Sequence, residues 1–266
     1  MRNKIELNLA QLGGRAACVA ISLEQSGTRE LVSINPDEVF PAASLAKVPI
    51  LIELARRLAQ PDSPYTWDTH LEVPGEARVA SDGVLADLSP ALRPTIQDIA
   101  HLMITISDNT ASNMLLDLLS LAAINSTMRE LGLSNTRLER HFIDFEARRA
   151  GRDNWTTAAD MVRLFAHIYH GRVPDSKRLI SILLRQNDYR ILPAYWGEDE
   201  PFAHKTGGLE GIMHDAGILF RAPDNWQQPL ILAVLTAEQA DLPLTQLHLA
   251  RLGRTIRQQW LDMSGS

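Results

Sequence analysis

The chain has 266 residues, 45% of them apolar, and 26 Lys+Arg against 32 Asp+Glu leave a formal charge of −6. That length allows one large domain or two intimate lobes that fold without staples. A single cysteine, Cys18, excludes an internal disulfide framework and a cysteine zinc site, and the acidic balance argues against a nucleic-acid backbone as partner.

The first fifty residues read as a short helix and a hairpin. Ile5, Leu9 and Leu12 share a helical stripe that Gly13-Gly14 ends. Ala16–Leu23 is a strongly apolar strand, Gln25-Ser26-Gly27-Thr28 turns the chain, and Glu30–Ile34 returns. From Pro49 the pattern becomes helical, beginning with the apolar Ile50–Leu58. Gln60–Pro94, with five prolines, reads as an irregular surface segment. Thr95–Ile106 is a helix opened by Thr95 and Asp98 in capping-box spacing. Further helices are expected at Thr110–Leu119, Ala122–Leu131, Thr157–His170 and Asp175–Arg185. After Pro193, Phe202–Thr206, Ile212–Arg221 and Leu230–Thr236 are strands, with a turn at Gly207–Gly211, and Leu244 to about Leu261 is a closing helix.

Strands from both chain ends then share one antiparallel sheet flanked by helices, with an all-α lobe inserted, an α/β fold. The expectation is a single domain, 1–266, with an α/β lobe over about 1–42 and 195–266 and an α lobe over about 43–194. The most apolar runs, Leu45–Ala55 and Leu115–Ile124, are broken by Lys47, Glu53 and Asp117, so no membrane span is expected.

Three short motifs follow one another: Ser44-Leu45-Ala46-Lys47, Ser107-Asp108-Asn109, and Lys205-Thr206-Gly207 followed by Gly208. Each alone is weak. All three in order should arise by chance in roughly one chain in a hundred or fewer. Ser44 stands where an irregular segment enters a buried helix, so its hydroxyl meets backbone N–H groups that favour developing negative charge. Lys47, one turn on, can reach it, and apolar neighbours disfavour its charged form, which makes an amine a usable base. The plainer alternative is a capping serine and a solvated lysine. Ser107-Asp108-Asn109 falls between two helices, either as turn and cap residues or as a polar corner with a hydroxyl and an amide for a substrate. The glycines after Lys205 would let a substrate backbone approach closely; otherwise Lys205 is an exposed strand lysine before a turn.

With these motifs the sequence resembles the class A β-lactamase and penicillin-binding-protein group of serine hydrolases. Gly83-Val84-Leu85, Leu131-Gly132-Leu133, Thr136-Arg137-Leu138 and Asn154-Trp155-Thr156-Thr157 extend the likeness over nearly the whole chain. The resemblance implies Ser44 as acylated nucleophile, Lys47 as its base or relay, and Ser107 as relay to the leaving nitrogen. It implies that Asn109 holds Lys47 and substrate, that Lys205 and Thr206, with Gly207 beside them, bind a substrate carboxylate, and that the Ser44 and Gly208 N–H groups form the oxyanion hole.

One position departs from the family pattern. Two residues after Arg140, where class A enzymes place the glutamate that activates the deacylating water, stands Phe142. Asp144 and Glu146 are the remaining nearby carboxylates. Either could turn inward, but the favoured reading pairs both with Arg140, Arg148, Arg149 or Arg152. A symmetric hairpin over Thr206–Met213 would oppose His214 to Lys205 and make it a pH-dependent cation beside the substrate carboxylate; an asymmetric turn would send it elsewhere. His204 should face the opposite way, and His167 and His170 lack a third metal ligand.

The leading expectation is a class A-type serine hydrolase that opens a β-lactam or related amide or ester through a Ser44 acyl-enzyme. A penicillin-binding or esterase-like enzyme with slow deacylation and a non-catalytic ligand-binding or sensor domain are the alternatives. No metal or cofactor is expected, and the partner is a small-molecule substrate rather than nucleic acid or membrane. Without a signal-like segment the chain as given reads as cytoplasmic, or as periplasmic or secreted if a leader has been removed.

Overall fold

The computed structural model describes residues 2–25, 27–197 and 200–264. Helix α1 (Arg2–Leu9) precedes β1 (Arg15–Glu24) and β2 (Gly27–Ile34), which pair antiparallel; Ser26 of the expected turn lies outside the described residues. Strands β5 (Phe202–Leu209), β6 (Ile212–Leu219) and β7 (Leu230–Ala237) complete a five-stranded antiparallel sheet in the order β2-β1-β7-β6-β5. The two chain ends meet along β1 and β7, where Cys18 opposes Val234.

The two faces of this sheet read directly from the side-chain period of a strand. Ala17 and Val19 of β1, with Ile231, Ala233 and Leu235 of β7, join the core of the helical insert. Cys18 and Ala20, with Leu230, Leu232 and Val234, face a second core built from Ile5 and Leu9 of α1 and Leu249, Leu252, Ile256 and Trp260 of α9 (Leu242–Ser264). Coverage on both faces explains why β7 is buried at every position and shows no polar alternation. Helix α9 begins earlier than the sequence predicts and takes in Pro243, tolerated in a first turn because that N–H has no helical acceptor.

The inserted lobe comprises α2 (Lys47–Leu58), α3 (Ile96–Thr105), α4 (Asn109–Leu119), α5 (Leu121–Glu130), the short α6 (Phe145–Arg149), α7 (Ala158–Tyr169) and α8 (Ser176–Leu183). Thr95 and Asp98 form the expected reciprocal capping box at α3. Residues 60–94 are largely irregular, with one 3-10 turn at Gly75–Ala77. Two elements are absent from the sequence reading. One is α6; the other is a two-residue sheet of β3 (Phe40–Pro41) and β4 (Trp155–Thr156), which ties the segment before Ser44 to the end of the 140–154 loop. Two-residue strands have no periodicity to detect. Among the described residues no helix is long and apolar enough to cross a membrane.

The β5–β6 hairpin corrects a predicted register. Strand β5 continues through Gly207-Gly208 to Leu209, and the turn is the two residues Glu210-Gly211, with Gly211 at φ +68°. Lys205 therefore opposes Ala216, and His214 opposes Gly207. Glycines suggested a turn, but here they serve a close approach. A Cβ on Gly207 would stand 3.3 Å from the His214 side chain and 3.4 Å from the Ala42 carbonyl.

Candidate active site

The site forms where α2, the α3–α4 corner and β5 converge. Ser44 is half-buried in a 3-10 turn, Ala43–Ala46, that runs straight into α2. The first N–H groups of such a turn have no acceptor within it. Ala43 has φ +46° and Ser107 φ +58°, left-handed values that L-residues adopt only when their surroundings over-determine them. The surroundings here are tight: Ala42 donates to the Asn154 carbonyl at 2.7 Å, and Asp108 is 1% exposed.

Asp108 organises the corner. Its Oδ2 accepts the N–H groups of Val84 and Leu85 at 2.7 and 2.8 Å, and its Oδ1 caps α4 through Ala111 N–H at 2.9 Å. Gly83 has φ +113° and would place a Cβ 2.4 Å from that carboxylate, so only glycine brings the 82–85 segment close enough. This packing gives Gly83-Val84-Leu85 a structural part in holding the corner.

The Lys47 amine is fully buried and holds three contacts: the Ser107 carbonyl at 2.6 Å, the Ser107 hydroxyl at 2.8 Å and Asn109 Oδ1 at 2.8 Å. Burial, and then the charge of Lys205, push its pKa well below that of an ordinary lysine; Asp108 and Asp82 only partly oppose them. Nζ donates to both carbonyl oxygens and to the Ser107 hydroxyl, three acceptors for one amine. Asn109 is held in turn by Ser81, whose Oγ accepts from Nδ2 at 2.9 Å.

On the strand side, Lys205 is buried, donates to the Thr206 carbonyl at 2.9 Å, and has its pKa lowered to about 8 by burial against the opposing charges of Asp215, Asp188 and Asp82. Ser44, Ser107, Thr206, Gly207 and Gly208 all line one open cleft of about 730 Å³, together with Asp82. Gly208 has open space where a Cβ would stand. The cleft thus places the Ser44 and Ser107 hydroxyls and the backbone of Thr206–Gly208 around one volume, with two buried amines behind it.

Three predicted site residues are not part of it. His214 is fully buried; its Nε2 donates to the Pro41 carbonyl at 2.9 Å, and its Nδ1 accepts from Thr236 N–H at 3.0 Å. Both nitrogens are used by a neutral ring, and burial pushes its pKa down to about 4, so it is a structural tie and not a cation facing the cleft. Asp144 caps α6, its Oδ1 accepting from Ala147 N–H at 2.9 Å, and Glu146 is exposed on the first turn of that helix. Neither lines the cleft. Nor do they pair with arginines among the described residues: Asp153 takes both Arg140, at 2.7 Å, and Arg148, at 3.2 Å. The turn into α6 puts Asp144 at a helix start, where a cap satisfies backbone donors.

Phe142 occupies the wall beside the lysine. Its ring centroid lies 4.7 Å from Lys47 Nζ, and Asn113 clamps its backbone, accepting from its N–H at 2.9 Å and donating to its carbonyl at 3.1 Å. Sequence reasoning missed Asn113, although it stands four residues after Asn109 on one face of α4. Ser81 and Asp153 had no such signal. His204 does face away from the cleft side, bonded through Nδ1 to Asp215 at 2.8 Å. His167 meets the Leu131 carbonyl at 3.0 Å, and no group of three potential metal-ligating residues exists among the described residues.

Comparison with known proteins follows the same lines. The model of the Beta-lactamase enzyme family matches residues 2–260. A β-lactamase of Streptomyces fradiae is 30% identical over 223 residues, 79% of this chain and 71% of that protein. The β-lactamase regulatory protein BlaB of Streptomyces cacaoi is 25% identical, covering 86% of this chain and 88% of that one. Among solved structures, a variant of PBP-A held as an acyl-enzyme with penicillin G superposes with a TM-score of 0.85 at 27% identity, over 98% of this chain and 96% of that chain.

Proposed function

The chain belongs to the Beta-lactamase enzyme family, and from that premise we propose that it is a serine acyl-transfer hydrolase that forms a long-lived acyl-enzyme on Ser44. The observation that carries this reading is the buried, pKa-depressed Lys47, bonded to Ser107 behind the cleft that Ser44 lines. A neutral amine can take the Ser44 proton as Oγ attacks the carbonyl carbon of a strained amide or an ester. The N–H groups of Ser44 and Gly208 receive the oxyanion. As the carbonyl–leaving-group bond breaks, the proton passes from Lys47 through the Ser107 hydroxyl to the departing atom. Lys205 and Thr206 hold the substrate carboxylate, since Lys205 at a pKa of about 8 remains mostly charged near neutrality.

Release is the slow half. The acyl carbonyl needs an attacking water and a base for its proton, and the wall beside Lys47 holds the Phe142 ring. With Asp144 engaged as a cap and Glu146 exposed, neither carboxylate of the 140–146 loop supplies that base. This supports a penicillin-binding or esterase-like enzyme over a fast β-lactamase.

The test is incubation with penicillin G and with a chromogenic cephalosporin, followed by intact mass. The expected result is one adduct per chain, mapped to Ser44, absent in Ser44→Ala, and persisting over many minutes with little turnover. Absence of any adduct with β-lactams or activated esters would sink the proposal. A second reading, a ligand-binding sensor, draws on the likeness to BlaB, a regulatory protein by name. It requires reversible penicillin binding that survives Ser44→Ala with unchanged affinity and leaves no covalent mass.

A further inference from the structure

Beside the catalytic cleft lies a second groove of about 500 Å³ that none of the roles above uses. It shares two residues, Thr105 and Asn187, with the cleft, so the two volumes adjoin. Thr105 stands two residues before Ser107. The groove therefore adjoins the part of the cleft that Ser107 lines, where on the proposed reading the departing atom takes its proton.

The groove's charge is positive and partly uncommitted. Arg93 and Arg185 line it with Asp98 as the one carboxylate, and His101 completes the wall. Asp98 is already engaged: its Oδ2 accepts from the N–H of Thr95 at 2.9 Å and from its hydroxyl at 2.7 Å. Arg93 pairs with Glu72 at 2.9 Å. Arg185 follows the last turn of α8 and, among the described residues, no hydrogen bond or ion pair engages its guanidinium. The half-buried His101 registers the local field, since burial and the charges of Arg185 and Arg178 lower its pKa against the opposing charge of Asp98. An unpaired guanidinium in a concave site next to a reacting centre matches the planar fork of a carboxylate.

We propose that this groove is a subsite for an acidic group, a carboxylate in the first instance, carried on the leaving-group portion of the substrate, with Arg185 as its principal contact. The proposal rests on the serine acyl-transfer reading for the meaning of "leaving group", but not for the existence of the anion site. Arg185 selects among substrates and takes no part in bond breaking.

Two measurements separate those parts. In the first, the His101 ring resonance, assigned with His101→Gln, is followed by NMR during titration with glutarate and, separately, with inorganic phosphate. A saturable shift is expected with glutarate, and loss of saturation in Arg185→Gln; no saturable shift, or the same shift in Arg185→Gln, overturns the site. Saturation by phosphate but not glutarate makes it a free-phosphate site and overturns the carboxylate assignment. In the second, benzoylglycyl thioesters of N-(mercaptoacetyl)glutamate and N-(mercaptoacetyl)glutamine, which differ by one carboxylate, are compared by thiol release. The glutamate ester should show a KM lower by about two- to fivefold, the scale of an exposed charged contact, and Arg185→Gln should equalise the pair without changing kcat for the glutamine ester. Equal KM values in the unaltered protein overturn the substrate role. Failure of both esters to acylate Ser44 refutes the catalytic reading, while the glutarate titration still decides the anion site.

Discussion

The floor of the cleft and the wall beside it are built on opposite principles. On the floor, Lys47, Ser107 and Asn109 form a polar cluster in which the three hydrogen bonds of the amine lie between 2.6 and 2.8 Å, and Ser81 supports Asn109 from behind. On the wall, 4.7 Å from the same amine, Phe142 presents a ring and no proton acceptor, although Asn113 fixes its backbone as firmly. Both regions are tied in place by hydrogen bonds, but only the floor presents groups that can exchange a proton. On the proposed reading, acyl-group capture and acyl-group release draw on side chains from different segments, α2 and the α3–α4 corner for the first and the 140–146 loop for the second.

The comparison breaks most completely at Lys47. Lys47→Ala should lower the acylation rate by about 10²–10⁴-fold, read as the rate at which the Ser44 adduct appears by mass. An unchanged rate would mean that another group takes the Ser44 proton. Thermal melting of the same variant checks that the corner remains folded.

Placing an acceptor in the wall should erase the contrast. Phe142→Glu is expected to shorten the adduct lifetime by about 10²-fold, a general base's usual contribution, and to convert a single labelling event into turnover of penicillin G. A lifetime unchanged in a folded variant would locate the deacylation block elsewhere.

Acid sharpens the comparison from the strand side of the floor, where His214 sits beneath Gly207 as a neutral ring. Its pKa is about 4 folded against an ordinary 6.5. Between those values the unfolded chain binds a proton that the folded chain refuses, so unfolding free energy falls as pH drops from 6.5 toward 4, by up to roughly 1.4 kcal/mol per pH unit. Urea midpoints at pH 7 and pH 5 should therefore diverge more for the unaltered protein than for His214→Gln. Equal divergence would remove His214 from the acid response.

The smallest effect belongs to Asp144. As a cap of a five-residue helix, Asp144→Ala should cost about 1 kcal/mol of stability, measured by denaturant unfolding, and leave the adduct lifetime as it was. A longer-lived adduct would show that this carboxylate does reach the acyl group.

Much of this was legible along the chain because it depends on local pattern. The strongly apolar stretch of β1 and the unbroken apolar run of β7 announced a sheet drawn from both termini, and Thr95 with Asp98 announced the start of α3. The three motifs brought Ser44, Lys47, Ser107, Asn109, Lys205 and Thr206 into consideration before any of them had a position. The register of the β5–β6 hairpin was not legible. Gly207-Gly208 has the composition of a turn, and only the nearness of the Ala42 carbonyl and the His214 ring makes those glycines strand residues. The partners of the loop arginines were hidden for a similar reason. Asp144 and Glu146 are nearer in sequence to Arg140 and Arg148 than any local rule could discount, yet Asp153 returns from the far side of α6 and takes both.

By itself the sequence determined the longer helices and the strands of the main sheet, which chemistry-bearing residues exist, and that Phe142 stands where a carboxylate was expected, since these are properties of residue type and short-range spacing. Tertiary structure alone decided the protonation of that chemistry and its direction. Burial beside Lys205 is what lowers the pKa of Lys47, burial is what keeps His214 neutral, and a helix start is what turns Asp144 away. Desolvation and long-range contact set charge and orientation, and neither is written in a local pattern.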